Sequence, residues 1–375
     1  MKKLFIIAGE ASGDLLAADL IKEFKGQYPQ IKIYGIGGSQ SLASGLNESL
    51  FPMEELSIMG VFEILPKIPK MLKRINQTVQ EIKRVQPDIV ISIDSPDFSF
   101  RVQKKVKKQG INTKQVHYVA PTVWAWRERR AKKIAKFLDG ILCLFPFEPP
   151  YFERAGLKAT YIGHPAMKRY EQAPTPEEAK QKLGFTKEDG IIGLLLGSRR
   201  GELKRHAEIF LKATQQSIEE NTKVLVPTLP HLRESVEELV KTHASNPEKF
   251  IIVDKPEEQT TYFKAMDKAL AVSGTVGLEL AIAGTPHVIG YRVSWLTALI
   301  VKKLIKTKYI HLANIILDRK VVPECIQDDC NTQTIATQLK ELKAKEQKDA
   351  LNELINIMKT IESPSKTAIS FIKSL

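Results

Sequence analysis

Leu4-Phe5-Ile6-Ile7-Ala8-Gly9-Glu10-Ala11-Ser12-Gly13-Asp14 is the stretch that decides the fold. A short apolar run enters a glycine turn, and Leu15-Leu16-Ala17-Ala18-Asp19-Leu20 continues in helical rhythm. The run is too short for the core of a secretory signal and reads as a buried strand feeding a helix. Glycines let a backbone approach a ligand, and a helix start offers unbonded N–H groups. The spacing is not Gly-x-Gly-x-x-Gly, so a nicotinamide cofactor is not indicated. Ser12 or Asp14 acting as helix N-cap would explain the turn without any ligand. Gly35-Ile36-Gly37-Gly38 is a second turn of the same kind.

The same rhythm extends outward. Leu4–Ala8, Ile31–Gly35, Ile89–Ile93, Gln115–Val119 and Gly140–Leu144 read as strands separated by helical patterns, the signature of βαβ units on a parallel sheet. Prolines at 165, 174 and 176 mark a boundary. A second series follows: Ile191–Leu196, Thr222–Val226, Phe250–Val253, Lys268–Val272 and Thr285–Ile289. The expectation is an α/β chain of two Rossmann-like domains, residues 1–170 and 171–330, with a helical tail over residues 331–375 that packs on the first domain or is swapped between protomers. In such sheets ligands sit beyond the carboxyl ends of the strands, so the turns there are where chemistry belongs.

Composition narrows the partners. A chain of 375 residues, 43% hydrophobic and 26% charged, is that of a globular protein of about two domains. Cys143, Cys325 and Cys330 have neither zinc spacing nor a paired framework, which points to a reducing compartment. No run approaches the ~18 apolar residues of a spanning helix. The net charge of +13 is lopsided, with +11 in residues 1–170 and most of the excess between Arg101 and Lys136. That face wants an anionic partner. Stacking aromatics are not interleaved with the basic residues, so nucleic acid is not expected. Residues 56–75 and 294–306 combine apolar positions with lysines and suit an anionic lipid surface, or equally an amphipathic helix that covers a sheet.

Four further turns carry candidate chemistry. Asp94-Ser95-Pro96-Asp97-Phe98 puts two carboxylates at a strand end; if close, they would drive their pKa values apart and leave one suited as a base. His117–Arg127 holds Trp124 and Trp126 in a strand-end loop that runs into a basic helix. Gly197, Ser198 and Arg199 form a turn fit to clamp a diphosphate. Ser273, Gly274 and Thr275 can hold phosphate oxygens, and Glu279, one helical turn further, can accept both hydroxyls of a ribose. The histidines, His164, His206, His231 and His287 among them, show no ligand spacing, so no metal site and no cofactor is expected.

Taken in order, these segments resemble the lipid-A-disaccharide synthase family: AGEASGD (8–14), MGVFEIL (59–65), DSPDF (94–98), VAPTVWAWRERR (119–130), FPFE (145–148), IGHP (162–165), GSRRGE (197–202), SGTVGLEL (273–280), YR (291–292) and VVPECIQ (321–327). The chain departs from the family's pattern at Ser39, Leu196 and Ala313, each where proline is usual. The resemblance implies a GT-B arrangement, two Rossmann-like domains facing across a cleft, and a metal-independent inverting transferase. It joins UDP-2,3-diacylglucosamine to 2,3-diacylglucosamine 1-phosphate, in the cytoplasm against the anionic inner-membrane surface. It implies Asp97 as catalytic base and Arg199, Glu279, Asn314 and Gln327 on the nucleotide. It also puts Glu10, Ser12, Asp14, Asp94 and Trp124 on the acceptor side, and is compatible with a C-terminally swapped homodimer. A UDP-sugar epimerase on the same scaffold and a non-catalytic nucleotide-binding module are the competing readings.

Overall fold

A computed structural model describes residues 1–56, 68–125, 129–293 and 307–375. The MGVFEIL segment, Trp126 to Glu128 and all of 294–306 lie outside the described residues. The chain forms two units, Met1–Pro165 with Thr360–Leu375, and Ala166–Lys359.

The first unit carries β1 (Lys3–Ala8), β2 (Lys32–Ile36), β3 (Ile89–Ile93), β4 (Lys114–Tyr118), β5 (Gly140–Cys143) and β6 (Lys158–Tyr161) in the order β2-β1-β3-β4-β5-β6. The second carries β7 (Gly190–Leu195), β8 (Thr222–Pro227), β9 (Phe250–Val253), β10 (Lys268–Val272), β11 (His287–Tyr291) and β12 (Glu324–Ile326), in the order β12-β11-β10-β7-β8-β9. All ladders are parallel. The central strands are buried on both faces, which is why they read as unbroken apolar runs.

The elements that differ from expectation have local causes. β6 and β12 go unread because they are short edge strands whose polar, half-exposed residues carry no apolar run. β4 stops before Val119, whose φ of +73° takes it out of the ladder. β11 begins two residues late because Thr285 is turned inward, its hydroxyl donating to the Phe263 carbonyl at 2.7 Å.

The segment 331–375 is divided. Helices Thr332–Lys340 and Ala344–Met358 belong to the second unit. The helix Pro364–Lys373 returns to the first, where Ala368, Ile369 and Ile372 join the core beside helix Ala11–Gln27. Lys114 and Lys158 donate to the carbonyls of Leu375 and Ser374 at 3.0 and 3.1 Å. No described helix is long and apolar enough to cross a membrane.

Four histidines are built into the cores as neutral rings. His117 accepts or donates at Ser92 Oγ, 2.7 Å away. His206 donates from Nδ1 to the Glu202 carbonyl and accepts at Nε2 from Arg292 N–H, 2.9 Å each. His287 Nδ1 donates to the Thr285 carbonyl, so its Nε2 must accept from His311 Nε2–H at 3.0 Å, and His311 Nδ1 then accepts from Ala313 N–H. Burial pushes His117 down to about 3 and His287 down to about 4, and lowers His206 and His311 as well. These groups hold fewer protons folded than unfolded, so their contribution to stability is whole above pH ~6.5 and is lost as pH falls toward those values. Each weakens the fold by ~1.4 kcal/mol per pH unit over its window. Buried Glu148, pushed up to about 7, has the opposite slope and offsets one of the four. Urea midpoints are therefore expected to fall steadily from pH 6.5 to 4.5; a flat profile would show that the rings protonate in place.

Candidate functional site

Strand order fixes where each unit can bind. In the first sheet the order reverses between β1 and β3, paired from Leu4 with Ile89 to Ala8 with Ile93. In the second it reverses between β7 and β10. Successive connections leave to opposite faces there, so the two turns diverge and open a crevice.

At the first reversal the Gly9 turn packs on the Asp94 turn. A Cβ on Gly9 would lie 2.1 Å from Ser95 Oγ, so the residue there has to be glycine. Asp94 and Ser95 are both left-handed, with φ of 55° and 45°, an arrangement that costs non-glycine residues ~1–3 kcal/mol each and marks functional turns. The strain aims Pro96 and Asp97 into the first turn of helix Pro96–Lys108. Asp97 projects into solvent with 92% of its side chain exposed, 3.8 Å from the Arg130 guanidinium. Asp94 accepts from Ser95 N–H at 2.8 Å. The carboxyl on which its charge acts is Glu10, raised above the usual range first by burial and then by Asp94. Ser12 is exposed.

Asp14 lies elsewhere than expected. Helix Ala11–Gln27 begins beyond Glu10, so neither Ser12 nor Asp14 is its N-cap. The Asp14 carboxylate is buried and accepts from the N–H groups of Gly38, Gln40 and Ser41 at 2.8, 3.0 and 3.2 Å, and from the Ser41 hydroxyl. It caps helix Ser39–Ser44, and with its lone pairs so engaged it is withdrawn from the acceptor contacts.

Trp124 is half-buried at the end of β4, past the left-handed Val119. Its indole N–H donates to Glu148 Oε1 at 3.2 Å. Glu148 Oε2 accepts from Leu144 N–H and Phe145 N–H at 3.0 Å each. Phe147 meets Trp124 edge-on at 5.1 Å, and Phe145 stacks on both Phe147 and His164. The FPFE and IGHP segments thus become the support of the tryptophan loop, a role visible only once β4, β5 and β6 are side by side.

In the second unit a cavity of about 440 Å³ opens at the reversal. Gly197, Ser198, Arg199, Ser273, Gly274, Thr275 and Glu279 all line it, facing Thr228, Lys255, Gln259 and Tyr291. Gly197 has φ of +111°, and a Cβ there would meet the Glu202 carboxylate, which accepts from Ser198 N–H at 2.9 Å. Arg199 is exposed. Helix Thr275–Ala283 has no side-chain cap, and its first residues, Thr275 and Val276, line the cavity at the positive end of the helix dipole. Glu279 Oε1 accepts from Arg169 at 2.6 Å, and no partner reaches its buried Oε2 among the described residues.

Asn314 and Gln327 line no part of this cavity. Asn314 is fully buried and spends its whole hydrogen-bonding capacity internally. It donates to the Val322 carbonyl and Glu324 Oε1 and accepts from the N–H groups of Val321 and Val322, all at 2.8 Å. Its role is to tie helix Leu312–Leu317 to the entry of β12. Gln327 accepts from Val293 N–H at 3.3 Å. Among the described residues no group of three or more His, Cys, Asp or Glu is placed to hold a metal.

The fold has solved relatives. It matches MurG from Acinetobacter baumannii with a TM-score of 0.59 at 14% identity, and UDP-GlcNAc 2-epimerase from Neisseria meningitidis, solved with UDP-GlcNAc, with a TM-score of 0.60 at 14% identity; each match covers 100% of both chains. Two Rossmann-like units in this order define the GT-B fold of sugar-nucleotide enzymes. The lipid-A-disaccharide synthetase family model matches residues 4–372. Lipid-A-disaccharide synthase of Rhodospirillum centenum is 41% identical over 337 residues, 89% of this chain and 83% of that one. The Rickettsia prowazekii synthase is 37% identical over 381 residues, 100% and 99% of the two chains. The chain belongs to the lipid-A-disaccharide synthase family, and is an enzyme of the glycosyltransferase class.

Burial holds Glu148 protonated up to about pH 7, so the group that receives the Trp124 indole N–H changes charge near neutrality. The Trp124 indole N–H resonance is expected to titrate with a midpoint near 7, and Glu148→Gln to abolish that step. A resonance unmoved between pH 6 and 8 in the parent protein would contradict the coupling.

Proposed function

We propose that this chain transfers the diacylglucosaminyl group of UDP-2,3-diacylglucosamine to the 6-hydroxyl of 2,3-diacylglucosamine 1-phosphate, giving the β-1,6-linked lipid A disaccharide and UDP. The family match across residues 4–372 is the observation that carries the reading.

Asp97 takes the proton of the acceptor hydroxyl as the oxygen bonds to the anomeric carbon and the bond from that carbon to the UDP oxygen breaks. The attack comes from the face opposite UDP, so the configuration inverts. Full exposure on the first turn of a helix leaves Asp97 accessible to a sugar, and Arg130 places positive charge beside it. Glu10, Ser12, Asp94 and Trp124 border the acceptor; Asp14 and Glu148 hold the turns on which these sit. The leaving diphosphate gathers negative charge, for which Arg199, the Gly197–Ser198 turn and the bare N-terminus of helix Thr275–Ala283 supply donors in the cavity. No metal is needed in this scheme.

Lipid-bearing substrates also give a use to apolar surface. Leu15, Leu42 and Leu72 are exposed on helices Ala11–Gln27, Ser39–Ser44 and Ile68–Val85, the last also carrying Lys70 and Lys73. They suit acyl chains and an anionic membrane face, with the protein bound peripherally at the cytoplasmic side of the inner membrane. A swapped homodimer would exchange helix Pro364–Lys373 for its identical counterpart.

Asp97→Asn is expected to lower kcat by ~10²–10⁴ while the protein stays folded and binds UDP within about threefold of the parent. Turnover within about threefold of the parent would remove Asp97 as base. Mass spectrometry of the products and UDP release measured with and without the monosaccharide acceptor test the reaction itself. Conversion of the donor to an epimeric UDP-sugar without the acceptor, with no net UDP release, would point to an epimerase.

A further inference from the structure

Beside Asp97 lies a cation with its hydrogen-bonding capacity unused. The Arg130 guanidinium sits over the Phe100 ring, 5.4 Å from its centroid. Phe100 is itself fixed edge-on against His117 and Phe137, at 4.5 and 5.8 Å. The Arg130 side chain is only 27% exposed, so this aromatic shelf sets its position. None of its guanidinium N–H groups makes a hydrogen bond among the described residues. The contact with Asp97, at 3.8 Å, is too long for a hydrogen bond, and an ion pair with a carboxylate 92% exposed contributes little. A guanidinium held on its face and unpaired along its edge is arranged to receive an anion.

Its neighbours share its sign. Arg101 follows Asp97 by one turn of helix Pro96–Lys108 and so lies on the same face. Lys133 follows Arg130 by one turn of helix Arg129–Ile134. Both are exposed, and neither forms an ion pair among the described residues. A sugar hydroxyl would leave these charges unmatched. A phosphate monoester concentrates negative charge and accepts the bidentate donation that a guanidinium offers. On the proposed reaction the acceptor brings such a group. Its 6-hydroxyl must reach Asp97, and its 1-phosphate lies across a single pyranose ring from that hydroxyl. The separation of Asp97 and Arg130, extended by one hydrogen bond at each end, spans such a ring.

We propose that Arg130, flanked by Arg101 and Lys133, is the subsite for the phosphate monoester of the acceptor sugar. Arg130 is a ligand contact. Arg101 and Lys133 add attraction from an exposed rim, where salt screens it. The inference rests on the reading of Asp97 as the base that meets the acceptor hydroxyl.

The test compares two acceptors in micelles of a neutral detergent, which keeps anionic headgroups out of the assay. One is 2,3-diacylglucosamine 1-phosphate; the other is the methyl glycoside of 2,3-diacylglucosamine, which keeps the 6-hydroxyl and lacks the phosphate. The parent protein is expected to prefer the phosphate by ~10-fold or more in kcat/KM, as a charge-assisted contact implies. Arg130→Met keeps an apolar stem over Phe100. With an unchanged thermal melt, its preference is expected to fall below about threefold while the methyl glycoside reacts as before. Arg101→Gln, at an exposed position whose loss spares the fold, is expected to lower the preference by about two- to threefold. An Arg130 that only orients Asp97 would slow both acceptors equally, and that result overturns the proposal. So does a preference retained in both variants, or a parent that transfers to the two acceptors alike. If Arg130→Met keeps the preference but no longer sediments with phosphatidylglycerol vesicles, Arg130 meets a lipid headgroup and the subsite is refuted. A parent that transfers to neither acceptor overturns the transferase reading and the subsite with it.

Discussion

A parallel sheet whose strand order reverses cannot close over its own carboxyl edge. At the reversal the two connections leave to opposite faces, and a crevice remains between their turns. Both units are organised around that geometric fact, between β1 and β3 in one and β7 and β10 in the other. It forces chain segments into contact at the same place where a ligand needs room. The conflict is met by glycine: Gly9 lies against Ser95, and Gly197 against Glu202, where any Cβ would collide. The candidate residues Asp97 and Glu10 in one unit and Arg199 in the other sit on turns held this way.

The polar residues of the segments that carry the family resemblance divide by what their atoms already do. Asp14, Glu148 and Asn314 spend their oxygens and N–H groups on backbone groups, the Ser41 hydroxyl, the Trp124 indole and the Glu324 carboxylate, all inside their own unit. A hydrogen bond to a buried carboxylate such as Asp14 is worth ~1.5–3 kcal/mol net, and stripping any of the three groups leaves its partners unsatisfied as well. They set the shape of turns and loops. Asp97 and Arg199, by contrast, are exposed, and Glu279 keeps one oxygen unpaired. These are groups whose hydrogen-bonding capacity the fold has left unspent.

Behind the turns that line the second-unit cavity, the glycine in the middle of SGTVGLEL has a packing reason. A Cβ on Gly277 would lie 2.6 Å from His311 Nε2. That ring is fixed by His287 and by Ala313 N–H, and Glu324 holds the N–H groups of Ile310 and His311 at 3.1 and 2.9 Å. The helix that presents Thr275 and Glu279 is thus seated on a neutral histidine pair, and its position depends on those rings staying unprotonated.

The order of strands and helices and the place of the turns could be read from the chain, because strands buried on both faces must be continuous apolar runs and because turns need glycine, proline and short polar residues. The turns that line the cavity, Gly197–Arg199, Ser273–Thr275 and Glu279, could be read for the same reason. The edge strands β6 and β12 could not, since half-exposed residues carry no periodic signal. Nor could the work of Asp14, Asn314 and Glu148. A carboxylate or amide looks the same in a sequence whether it faces a ligand or caps a helix 24 residues away. Which of its lone pairs remain available is decided by the neighbours that folding brings to it, and those neighbours are set by packing, not by position along the chain.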